Sequence, residues 1–198
     1  MLNKYDIKKL IGIIAKSHVY GLSSEPTERN VADTRNYSRH YRVRLRAEVL
    51  LDAISDITAM PNNFSAMAYG ARSNQICTHR VTNLFLDTFG RPDPNQDPPC
   101  ERTPDSTVTQ ILHLMNSPEL HAKVTNSSNS ISKMIDEQEA EPGEVTKQIY
   151  LLCYSREPDG DELEICLKIF GENKDNPKAA ASYILWALMN TPEFTLKD

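Results

Sequence analysis

The string Met-Asn-Ser-Pro-Glu at Met115–Glu119 returns as Met-Asn-Thr-Pro-Glu at Met189–Glu193, and few pentapeptides restrict a backbone more. Proline lacks an N–H and has a fixed φ, so it fits readily at the first position of a helix. A serine or threonine just before it can accept a hydrogen bond from the free N–H groups of the first turn. The glutamate that follows suits the positive end of the helix dipole. The preceding asparagine tolerates the left-handed conformation and so ends the previous helix. Each copy therefore predicts a corner: a helix, a break and a second helix. A fainter third version is "LIGIIAKSHVY", with Ser17 at the capping position and Tyr20 where Leu120 and Phe194 stand, but without proline.

Apolar spacing elsewhere says helix as well. Ile7, Leu10, Ile11 and Ile14 form an i, i+3, i+4, i+7 stripe behind Asp6 as cap; Leu50, Ala53, Ile54 and Ile57 repeat it, as do Val145, Ile149, Leu152 and Cys153. Thr107 with Gln110, and Asp159 with Glu162, have capping-box spacing, and Asn176 precedes Pro177. The expected architecture is all-α, a single globular domain over residues 1–198 with about seven to nine short helices enclosing one apolar centre. Two long irregular loops interrupt it. The first, "GLSSEPTERNVADTRNYSRHYRV", is polar and aperiodic; loops of that length are uncommon and often functional. The second, Phe89–Ser106, is so rich in proline that it is expected to be stiff and ordered, laid across the helices.

With 39% hydrophobic and 25% charged residues, the chain can bury a core and is not expected to be disordered. No apolar run reaches membrane-spanning length, and "LNKYDIKKL" after Met1 lacks the pattern of a secretory signal. Taken alone, that pattern predicts a cytoplasmic protein. The net charge of -5 conceals an asymmetry: residues 1–100 carry 13 Lys/Arg against 10 Asp/Glu, residues 101–198 carry 9 against 17. The simplest expectation is that basic and acidic halves pair within one fold. Cys77, Cys100, Cys153 and Cys166 have neither zinc-ribbon nor haem-attachment spacing, and no iron–sulfur pattern is present, so no cofactor is expected. Cys153 and Cys166 read as core thiols.

Candidate chemistry gathers in the loops. Arg35, Arg39, Arg42, Arg44 and Arg46, with Tyr37 and Tyr41, look superficially like a nucleic-acid patch. The acidic total and the lack of a binding motif argue against nucleic acid, and pairing with carboxylates explains the arginines equally well. Cys77, His79, Cys100 and His113 are zinc-type ligands without the tight pairing that structural zinc sites use, so no metal is expected. As catalytic candidates, Cys100 would be a nucleophile, Glu101 with Asp87 an acid/base pair, and His113 a proton carrier. Arg91 and Arg102 would hold an anion. The competing reading makes Arg39, Arg44, Arg91 and Arg102 an ion network that pins the loop through Glu101.

The strings "DTRNYSRHY", "RLRAEVLLDAI", "FLDTFGRP", "CER", "LHLMNSPE", "YLLCYSREP" and "LWALMNTPEF" together resemble the C-terminal part of the planctomycete cytochrome-c-associated proteins of domain-of-unknown-function family fifteen-fifty-three. The resemblance covers nearly the whole chain. It implies a piece of a longer, exported protein, placed in the periplasm or cell envelope and partnered by other domains or proteins of a cytochrome-associated system. It implies no defined activity. Where the family usually has Cys-Glu-Cys-Glu-Arg, this chain has Pro98 in place of the first cysteine, while Cys100, Glu101 and Arg102 match. A helical accessory or interaction domain, with the two loops as its working surface, is the expected function; a polysaccharide hydrolase using Glu101 and Asp87 is the alternative.

Overall fold

Short polar side chains punctuate this fold. In a computed structural model, which describes residues 5–65, 67–76, 81–92 and 107–197, Asp6, Thr107, Ser117, Asp159 and Asn176 each accept a hydrogen bond from a backbone N–H in the first turn of the helix that follows. The helices are α1 (Ile7–Ala15), α2 (Ala47–Thr58), α3 (Leu84–Thr88), α4 (Val108–Asn116), α5 (Pro118–Thr125), α6 (Ser130–Gln138), α7 (Pro142–Tyr154), α8 (Gly160–Glu172) and α9 (Pro177–Met189), with α10 (Pro192–Thr195) a single turn. A 3-10 turn covers Ser73–Gln75, and β1 (Val43–Arg44) pairs with β2 (Leu196–Lys197) in a two-residue ladder. The all-α expectation holds.

The chain divides into two compact units, Met1–Val43 with Leu196–Asp198, and Arg44–Thr195. The larger is one globular helical domain, and every buried apolar residue described lies within it, from Ala47 to Phe194. Its centre is α9, which packs on α5, α6, α7 and α8 and buries Ala180, Ala181, Ile184, Leu185, Leu188 and Met189. α2 contributes Leu50, Leu51, Ile54 and Ile57. Cys166 is buried and Cys153 half-buried, as core thiols should be; burial pushes the Cys153 thiol up to about 12.

Both repeated strings form corners. Ser117 ends α4 and caps α5, and Thr191 Oγ1 accepts from the Phe194 N–H at the start of α10. The asparagines work differently from the expectation. Neither adopts a positive φ; instead Asn116 Nδ2 donates to the Leu112 carbonyl (2.9 Å) and Asn190 Nδ2 to that of Trp186 (2.8 Å). Each amide thus folds back onto a carbonyl four residues earlier in its own helix, with no left-handed residue at the corner. Ser17 makes the same two bonds as Thr191, donating to the carbonyl three residues back and accepting from the N–H three residues on. Without proline, only turns follow it.

The second corner is locked by the string "YLLCYSREP". Tyr154 Oη lies 2.7 Å from Thr191 Oγ1 and donates to the Leu188 carbonyl. Arg156 bonds both Glu162 and Glu193, and its guanidinium stacks over Tyr150 and Tyr154. Those strings carry architecture.

In the smaller unit α1 departs from the expected role. Its stripe forms, but no residue of the helix is buried: Ile7 is 71% exposed, Ile11 60% and Ile14 50%. Of the described residues in this unit only Ser24 is buried. The first long loop is held by hydrogen bonds instead. Asp33 Oδ1 accepts from the backbone N–H groups of Arg35 and Asn36, and Oδ2 from Ser38. These donors hold the Asp33 carboxyl well below the usual carboxylate range.

Candidate functional site

The structure brings four of the residues singled out in the sequence, Arg44, Asp87, Arg91 and His113, to one corner of the larger unit. α3 is short because it is capped by Asn83 and reverses at Gly90, whose φ of 82° favours glycine. The turn exposes the carbonyls of Thr88 and Phe89, and side chains from distant segments take them: Gln110 Nε2 donates to Thr88 (3.1 Å) and Arg44 Nη2 to Phe89 (2.9 Å). The Arg44 guanidinium also sits 5.5 Å from the centre of the Phe89 ring. Phe85 and Phe89 stack at 4.3 Å, and His113 meets both edge-on. Burial lowers the His113 pKa, opposed by the nearby Glu119, so the imidazole is neutral near pH 7.

Asp87 is half-exposed and committed to Arg91, whose Nη2 and Nε reach Oδ1 at 2.6 and 3.2 Å. The Arg91 side chain is only 6% exposed, and its Nη1 finds no partner among the described residues. Arg91 thus engages Asp87, and His113 packs edge-on against the stacked Phe85 and Phe89 rings. The corner works as a clasp on its own main chain.

Arg39 belongs to the smaller unit, where Nη1 donates to the Ser24 carbonyl and the guanidinium lies 5.1 Å from the Tyr41 ring centre. Arg42 there bonds Ser24 and pairs with Glu25. Cys100, Glu101 and Arg102 lie outside the described residues, with Cys77, His79, Pro98 and most of the Phe89–Ser106 loop. The expected contacts of Arg39 and Arg44 with Glu101 therefore fall outside them too.

A second polar constellation was not visible in the sequence. Asp52 looks like part of the outer face of α2, yet its side chain is 5% exposed. It accepts from the Ser73 N–H (2.6 Å) and the Asn74 N–H (3.3 Å) and faces Arg72 Nε at 3.5 Å. Arg72 also grips Asp56 through both terminal nitrogens, at 2.9 and 2.7 Å. These bonds tie the Gly70–Asn74 segment to α2 and leave a cavity of about 350 Å³ at the C-terminal end of that helix. Asn62 lines it while 4% exposed, and its Oδ1 has no partner among the described residues. A buried, unpaired amide oxygen costs about 1–3 kcal/mol. Behind the wall, Lys123 Nζ donates to the Met60 carbonyl (2.6 Å) and to Ser55 Oγ (3.4 Å), capping the end of α2 with a cation whose pKa burial lowers. Aspartates on a helix face and a lysine between corners give no sequence signal that they will meet.

None of the described helices is long and apolar enough to cross a membrane. Among known proteins, neither the curated sequences nor the solved structures contain a match to the chain. A family model described as PSD1, protein of unknown function (DUF1553), matches residues 1–170. That span includes the clasp at α3, the cavity at the end of α2, the first corner and the "YLLCYSREP" string, and the chain belongs to this PSD1 (DUF1553) family.

Proposed function

We propose that the chain is a helical accessory domain that docks onto another protein through α1. What supports this reading is the capped, regular stripe of Ile7, Leu10, Ile11 and Ile14, half or more exposed at every position. Apolar anchors at i, i+3, i+4 and i+7 are the pattern that an apolar groove accepts from a helix. The helix carries Lys8 and Lys9 and no carboxylate, and Lys16 follows it, so the groove it fits is rimmed by acidic side chains. A helix only 9 residues long with isoleucine in place of Trp or Phe is a poor match for a lipid interface. The planctomycete, cytochrome-bearing and extracytoplasmic setting rests on the resemblance of the sequence strings alone, and within it the partner is another domain or protein of that system. The first long loop belongs to the same reading as further working surface, and most of the second, Phe89–Ser106, lies outside the described residues. The hydrolase alternative loses support from the commitment of Asp87 to Arg91.

The test is site-specific photocrosslinking in the producing cell, with the crosslinker at Ile11 and, as control, at the exposed Tyr69. A single partner crosslinked only from position 11, through a peptide with acidic residues around an apolar groove, and lost on Lys8→Glu/Lys9→Glu, is the expected result. Crosslinks to lipid, or retention of the purified chain on anionic vesicles, would replace the docking reading with a membrane one.

A further inference from the structure

We infer that α4 is the meeting face of a dimer, in which two copies of the chain pack this helix antiparallel about a two-fold axis. The inference is independent of the docking reading, because it concerns the larger unit alone. The helix is apolar on both sides. Gln110 and Leu114 are buried, and Gln110 is held inward by the Thr88 carbonyl. On the opposite side Val108, Ile111, Leu112 and Met115 are 72%, 54%, 53% and 45% exposed, a stripe at i, i+3, i+4 and i+7 that the core of the larger unit does not use.

Charge selects the occupant. Residues 107–118 contain no lysine, arginine, aspartate or glutamate, and the exposed side chains flanking the stripe, Thr107, Thr109 and Asn116, are all neutral. A partner with charges around its apolar anchors would have to desolvate them against a face that offers no counter-charge. A second α4 brings none. The stripe of α1 has the same spacing but runs beside Lys8 and Lys9, which suits it to an acidic partner and not to this face.

Symmetry and area set the geometry. The spacing of three, one and three residues reads alike in both directions, so an axis passing between Ile111 and Leu112 lays the stripe on itself. Val108 then meets Met115 of the second copy, twice, and the helix dipoles run head to tail. Four side chains exposed to this degree amount to roughly 400 Å² of apolar surface, the size at which a patch marks an interaction site. With the neutral rim, two copies together bury about 1,000 Å², the lower limit of a specific interface, so the dimer is a weak one.

The experiment is sedimentation equilibrium of the full chain from about 5 to about 500 µM, a range that spans the Kd of a small interface. We expect a reversible monomer–dimer equilibrium. Leu112→Glu should raise its Kd at least about tenfold, with the urea midpoint of the dilute chain unchanged because the side chain it replaces is exposed. Val108→Lys and Met115→Glu should each dissociate the dimer, and the double variant, which sets a lysine against a glutamate twice across the axis, should restore it. Lys8→Glu/Lys9→Glu, which disables the docking helix, should leave the equilibrium as it is. A monomer at every concentration, a dimer indifferent to Leu112→Glu, a dimer lost with Lys8→Glu/Lys9→Glu, or a double variant no tighter than the single ones would each overturn the assignment.

Discussion

The two units of the chain use similar helical patterns to opposite ends. In Arg44–Thr195 the apolar stripes of α2, α7 and α9 are consumed by one core, and Leu50, Ile149 and Ile184 are at most 2% exposed. In the smaller unit, α1 has an equally regular stripe and no buried residue, and the loop beyond it is held by Asp33 and its donors. Periodicity specifies a helix and the face that must be covered. It does not specify what covers it.

The sharpest contrast is energetic. Leu185→Ala, which opens a hole under α9, should cost about 2–5 kcal/mol in urea unfolding, whereas Ile11→Ala should change stability by less than about 0.5 kcal/mol. Comparable losses at the two positions would break the comparison. Asp52→Ala comes next: it strands the Ser73 N–H and removes an arginine partner, for an expected loss of about 2–4 kcal/mol by the same measurement. The corners follow. Thr191→Ala removes both the α10 cap and the partner of Tyr154 Oη and should cost about 1–2 kcal/mol, while Ser17→Ala, at the equivalent place in the smaller unit, should cost a few tenths of a kcal/mol in urea unfolding.

The smallest effect is a pH effect on the first loop. The Asp33 carboxyl is held below its unfolded value, near 3.9 for an ordinary aspartate. Its contribution is therefore complete above that value and is lost only as pH falls through the lower folded one. Amide shifts of Arg35 and Asn36 should stay constant from neutral pH down to about 4 and move only below that. A midpoint at the ordinary aspartate value would mean that the Asp33 hub does not form.

Much of the larger unit was legible because its signals are local. Capping residues lie three positions from the N–H groups they serve, and Thr107 with Gln110, Asp159 with Glu162 and the hydroxyl–proline corners were all readable at that range. The left-handed role given to Asn116 and Asn190 was wrong in mechanism and right in place, since each stands at a helix end with its amide folded back onto that helix. What could not be read was non-local. Asp52 meets Ser73 21 positions on, and Lys123 reaches Met60 across 63, so the cavity depends on pairings that no window of sequence contains. The arginine-rich run is divided for the same reason: among the described contacts, Arg39 donates to Ser24, Arg42 to Glu25 and Arg44 to Phe89.

Amide hydrogen exchange on the intact chain tests most directly whether the core stops at the boundary of the larger unit. A helix of 9 residues with no buried face gains nothing from packing and is marginal on propensity alone. The amides of Ile11–Lys16 should exchange with little protection, while those of α7 and α9 should approach the protection of global unfolding. Protection of α1 equal to that of α9 would mean that its stripe is already covered, and would contradict the account.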